Sequence, residues 1–98
     1  MYEFLVLDAV YGTLREGQPT QTATAYVRDQ LQQALNTSPE VFITNETFGV
    51  DPCVHFGKQF AAVVSVNGRL QFFAAAEGQA IDFRYYDGVL TPPLDQNS

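Results

Sequence analysis

The rhythm of apolar and polar positions divides the chain into elements. Glu3 to Tyr11 is almost continuously apolar, rich in Leu, Val, Phe and Tyr and broken by Asp8, the pattern of a central strand in a sheet. Leu14 to Thr20 holds Gly17 and Pro19 and reads as a polar loop. From Gln21 to Asn36 the residues Ala23, Tyr26, Val27, Leu31, Ala34 and Leu35 recur at helical spacing, which predicts an amphipathic helix. Thr20 or Thr22 can cap its start, and Asn36 with Ser38-Pro39 can end it. Val41 to Thr44 is a short strand, Gly49 to Gly57 a loop, and Gln59 to Val66 a further strand. Asn67-Gly68 is the strongest hairpin signal in the chain and returns Arg69 to Ala75 antiparallel. After a turn at Glu77-Gly78, Ile81, Phe83 and Tyr85 alternate with Asp82, Arg84 and Tyr86 as a third antiparallel strand would. The expectation is an α+β fold, one main amphipathic helix packed on a mostly antiparallel sheet of about five strands. A single domain spans residues 1–90, and 91–98, with Pro92-Pro93 and no periodicity, form a loose tail.

Composition narrows the partners. At 98 residues, 46% of them hydrophobic, with eight Phe and five Tyr, the chain can bury a core without metal or disulfide help. Charged residues make up only 16%, so much of the surface is neutral polar. A formal charge of −6, with five scattered Lys and Arg, argues against nucleic acid and against an anionic membrane surface. No long apolar run and no leader-like amino terminus are present, and a single Cys forms no intramolecular bridge, which together imply a cytoplasmic protein.

The chemistry concentrates in Asn45-Glu46-Thr47-Phe48-Gly49-Val50-Asp51-Pro52-Cys53, with Lys58 following and Tyr11-Gly12 far upstream. Gly49 permits a turn that other residues resist, and Pro52 restricts Asp51 to extended backbone, so the segment is a shaped loop. Asn45, Asp51 and Lys58 could bind a polyhydroxylated ligand. Equally, Asn45 and Asp51 could bond nearby backbone N–H groups as turn formers, and Lys58 could be a solvated charge or a carboxylate's partner. Tyr11 is either a core aromatic at a strand end or a stacking platform, and Glu77 before Gly78 is ordinary turn chemistry unless it joins the set.

In order and spacing, the Asp-Ala-Val-Tyr-Gly strand end, the helix, the short strand, Asn-x-x-Phe-Gly-x-Asp-Pro-Cys and Lys58 before a strand resemble a known family. It is the galactose- and rhamnose-binding lectin domain of sea-urchin-egg-lectin type, and the similarity spans roughly Leu5 to Phe83. The same features resemble an uncharacterised domain at the carboxyl end of some J-domain co-chaperones and in bacterial proteins. The lectin resemblance implies that Asn45, Asp51 and Lys58 line a sugar pocket with Tyr11 beside it, and that Glu77 stands in for a lectin glutamate through a permuted order. Thr13 stands where those lectins commonly carry Arg, Val50 is an extra residue within the Phe-Gly-Asp-Pro-Cys run, and Cys53 has no intramolecular partner, so the lectins' disulfide framework is missing.

Catalysis lacks partners. His55 is the only histidine, no group is identifiable to orient it against Cys53, and no zinc spacing, calcium loop, Walker loop or dinucleotide fingerprint occurs. The chain is therefore read as a non-enzyme with no catalytic residue, metal or cofactor. Cys53 is either a small buried hydrophobe or a thiol able to link two chains. Two function classes follow. One is a carbohydrate-binding module using Tyr11, Asn45, Asp51, Lys58 and Glu77. The other is a protein-interaction or self-assembly domain, a homo-oligomer included, suggested by low surface charge and high Phe and Tyr content and working through an exposed edge of the antiparallel sheet near Phe72-Phe73 or Tyr85-Tyr86.

Overall fold

A computed structural model describes residues 2–15 and 20–86. Among these described residues, six strands and two helices follow in the order β1 (Phe4–Leu14), β2 (Thr22–Tyr26), α1 (Arg28–Thr37), β3 (Glu40–Phe42), α2 (Asn45–Phe48), β4 (Gln59–Val66), β5 (Arg69–Ala76) and β6 (Ala80–Asp82). Strands β2-β1-β4-β5 form an antiparallel sheet, and β3 pairs with β6 in a separate antiparallel ribbon. The fold is thus mostly antiparallel sheet with two short helices, and its strands divide four and two. The expected tail at 91–98 lies outside the described residues. None of the described helices is long and apolar enough to cross a membrane.

Alternation within the four-stranded sheet sorts its residues onto two faces. Val6, Ala9, Tyr11, Phe60, Ala62, Val64 and Val66 point inward, where Val27, Leu31 and Leu35 from α1 and its start, Val41 and Ile43 around β3, Phe48 of α2, and Phe83 complete the core. Between Val6 and Asp8 the β1–β4 register slips by one residue. Such a bulge resets the parity, so Leu7 and Asp8 are both exposed while Val6 and Ala9 stay buried on one face. The early half of β1 has no β2 neighbour, and Gln32 of α1 occupies that edge instead. Its Nε2 donates to the Phe4 carbonyl at 2.9 Å and its Oε1 accepts from the Val6 N–H at 2.7 Å, which satisfies backbone groups that would otherwise be orphaned.

Three expectations are corrected. The helix does not begin at Gln21: Thr22–Tyr26 is a strand, and α1 starts at Arg28 after Val27, with no side-chain cap from either threonine. Ala23, Tyr26 and Val27 meet the helical spacing, but Thr-Ala-Thr-Ala-Tyr also alternates, and the open edge of β1 selects the extended form. Asn45–Phe48 is a helical turn, not loop: Thr44 Oγ1 accepts from the Thr47 N–H at 3.2 Å, and Gly49 closes it at φ 69°. Finally, the strand after Glu77-Gly78 does not return along β5. The Gly78 N–H donates to the Ile43 carbonyl at 2.7 Å, and β6 continues along β3. Phe83 is thereby carried beneath β5, where its ring lies 4.5 Å from that of Phe73.

Candidate functional site

The residues singled out from the sequence come together at the end of β1 and the start of β4. Tyr11, on the inward face of β1, is fully buried. Its ring centroid is 4.9 Å from that of Phe48, which stacks on Phe60 at 5.6 Å. Its hydroxyl donates to Asn45 Oδ1 at 2.6 Å, so the first turn of α2 is fastened to β1 by one hydrogen bond and one aromatic contact. Burial, reinforced by the nearby Glu77 carboxylate, pushes the Tyr11 phenol up to about 12.

Lys58 stands beside this pair at the entrance to β4, and its side chain is only 3% exposed. Its ammonium meets Asp51 Oδ1 at 2.7 Å, the Cys53 carbonyl at 3.1 Å and Glu77 Oε1 at 3.5 Å. The ammonium thus faces two carboxylates and donates to one carbonyl. Glu77 also accepts from the Lys58 N–H at 3.0 Å and donates its own N–H to the Lys58 carbonyl at 2.8 Å, prolonging the β4–β5 ladder by one step. Asp51 Oδ1 further accepts from the Cys53 N–H at 3.2 Å. The hydrogen bond from Lys58 holds the Asp51 carboxyl below its usual range, and the same bond raises the Lys58 ammonium, with Glu77 adding to the rise. The cluster thus pins the 49–57 loop to the sheet. The Asp51 and Glu77 side chains remain 32% and 28% exposed at its edge. Cys53 carries a free thiol and is half-buried; His55 is exposed, with φ 73°.

The two aromatic pairs expected on an exposed sheet edge are placed otherwise, and a larger apolar surface lies on the face of the sheet. Of those pairs, Phe72 is exposed and Phe73 turns inward, while Tyr85 and Tyr86 are exposed beyond β6. Phe72 belongs to the outer face of the four-stranded sheet, which neither helix covers. Cross-strand rows on that face are Tyr26, Val10, Ala61 and Ala74; Asp8, Val63 and Phe72; and Leu5, Ser65 and Leu70, flanked by Leu7 at the bulge and Leu14 beside Thr22. Among these residues Asp8 is the one charge, and its Oδ1 accepts from the Tyr26 hydroxyl at 2.7 Å. Small residues in the middle leave two adjoining depressions that share Val10 and Ala61. One, of about 350 Å³, reaches Gly12, Leu14 and Thr24, and the other, of about 250 Å³, reaches Val63 and Phe72. The signal for this face was in the sequence, as alternating apolar outward positions at Ala61, Val63, Leu70, Phe72 and Ala74. A near-continuous apolar strand can face solvent on one side as well as be buried on both.

Compared with protein-family models, curated proteins and solved structures, the chain matches none of them.

Proposed function

We propose that this chain is a non-catalytic binding module that meets a protein partner through the outer face of its four-stranded sheet. One observation carries the reading: among the described residues no element covers this face, which presents exposed large apolar side chains on β1, β2 and β5 and one charge, Asp8, already bonded to Tyr26. An amphipathic sheet ordinarily turns a polar side to water, and the largest apolar patch of a monomeric protein, itself roughly 300–600 Å², is often its functional surface. The test is photo-crosslinking in cells that make the protein, with benzoyl-phenylalanine at Ala74 on this face or at Gln33, exposed on α1. Adducts from position 74 and none from position 33 are expected; equal yields from both would remove the proposed surface.

A second reading is a weak sugar site at the polar cluster, supported by the partial exposure of Asp51 and Glu77, whose free oxygens could accept from vicinal hydroxyls. Lys58 is buried and already turned to Asp51, Glu77 and the Cys53 carbonyl. Titrating labelled protein with galactose, rhamnose and other monosaccharides up to tens of millimolar tests it. Saturable shifts at Asp51 and Glu77 would establish the site, and a flat response would leave the cluster as loop architecture.

A further inference from the structure

Resting on the protein-binding reading above, we propose that the partner on the outer face is a second copy of this chain, packed sheet to sheet about a two-fold axis.

Area is the first argument. The large apolar residues of the face are 40–61% exposed, from Leu7 and Val10 up to Phe72 and Tyr26. At roughly 200 Å² per aromatic and 130 Å² per aliphatic side chain they offer about 550 Å² of apolar surface. The exposed Ala61, Ala74, Thr22 and Thr24 between and beside them extend that toward the about 800 Å² that each partner contributes to a standard interface. A two-fold dimer needs no surface beyond this one, because each copy presents the same patch.

Charge is the second. The protein as a whole carries −6, yet the face contributes only Asp8 to that total. Two copies can therefore approach face to face without opposing their acidic surfaces, and each Asp8 arrives with a hydrogen bond already made by Tyr26. A partner attracted by charge would be basic, but this face carries no cluster of carboxylates to attract it.

Shape is the third. Phe72 stands as a ridge on the outer strand β5, and the depression over Val10, Ala61 and Val63 lies beside it. A two-fold axis between ridge and depression seats each Phe72 over the other copy's Val10 and Ala61. Antiparallel sheets stack in this way about 10 Å apart, with strand directions within about 30°.

Sedimentation velocity of the purified full chain over a concentration series tests the proposal, with Phe72→Lys and Ala61→Lys as variants. The expected result is a wild-type mass approaching twice 10.9 kDa, and a monomer for both variants with unchanged circular dichroism. If Phe72→Lys does not fold, Ala74→Arg, at an exposed position on the same strand, replaces it. A wild-type dimer that survives both charges would overturn the proposal, since the contact would lie elsewhere. A monomeric wild type overturns it too, and the crosslinks then separate the two failures. Adducts of position 74 to another protein leave the binding reading standing, whereas no adducts remove both.

Discussion

Phe48 is the residue on which the short helix α2 depends, and its truncation has a calculable cost. The ring is 1% exposed, lies between those of Tyr11 and Phe60, and belongs to a helical turn of four residues that could not persist alone. Phe48→Ala removes the transfer free energy of a buried phenyl group and leaves a gap, together about 3–5 kcal/mol. A domain of this size has about 5–15 kcal/mol in all. At about 4–8 °C per kcal/mol, Tm should fall by about 12–40 °C. Urea unfolding at one fixed protein concentration measures the loss, because self-association would otherwise enter the result. The midpoint should drop with little change in slope. A loss below about 1.5 kcal/mol would refute the reasoning and mean that α2 is held by the Tyr11–Asn45 hydrogen bond and the Lys58 cluster instead of by packing.

Other expectations follow from the same coordinates. Lys58→Met keeps the apolar stem but leaves Asp51 and Glu77 without their cation, so hydrogen exchange should accelerate in residues 50–57 while β4 and β5 stay protected; unchanged exchange there would deny the cluster its pinning role. Gly12→Ala places a Cβ 2.3 Å from the Ala23 carbonyl oxygen and 2.6 Å from Thr24 Cα, both main-chain atoms of β2. Stability should fall by about 1–3 kcal/mol as β2 shifts off β1, read as altered amide shifts along Thr22–Tyr26. For pH, Asp51 and Asp82 are held low by Lys58 and Arg84, so their contribution is complete above the ordinary carboxyl value of 3.8 and lost as acid passes below it. Tyr11 and Lys58 are raised, so theirs is complete below about pH 10 and lost as pH climbs through their folded values, about 12 for Tyr11. Denaturation midpoints across pH 2–12 should fall at both ends, and removing the acidic arm with Asp51→Asn should flatten the low-pH slope.

What could be read from the sequence was set by how local its physics is. The Asn67-Gly68 hairpin was legible because both residues must take positive φ, at 53° and 87°, and those residue types do so readily. Tyr11, Asn45, Asp51, Lys58 and Glu77 could be gathered from motif order, but not their pairing with one another, Tyr11 to Asn45 and Lys58 to Asp51 and Glu77, which is set by the three-dimensional fold. Strand β2 was hidden because its alternating alanines and threonines satisfy two periods at once, and only the free edge of β1 decides between them. The bulge at Leu7 has no residue signature, and without it Asp8 reads as a break in a buried strand instead of an outward position. The pairing of β6 with β3 is a long-range choice, fixed by the Gly78 and Gln79 contacts to Ile43, and hence not visible in an alternation that ran to Tyr86 where the strand ends at Asp82.

The most direct measurement is the accessibility of position 74 inside the cell. In a Cys53→Ser background, Ala74→Cys and, as control, Gln33→Cys would be modified with a permeant maleimide in living cells and in dilute purified protein. The expected result is slow modification of Ala74→Cys in cells and fast modification when diluted, with Gln33→Cys fast in both. Modification of Ala74→Cys in cells as fast as that of Gln33→Cys would mean that the outer face stays bare, contradicting its role as the binding surface.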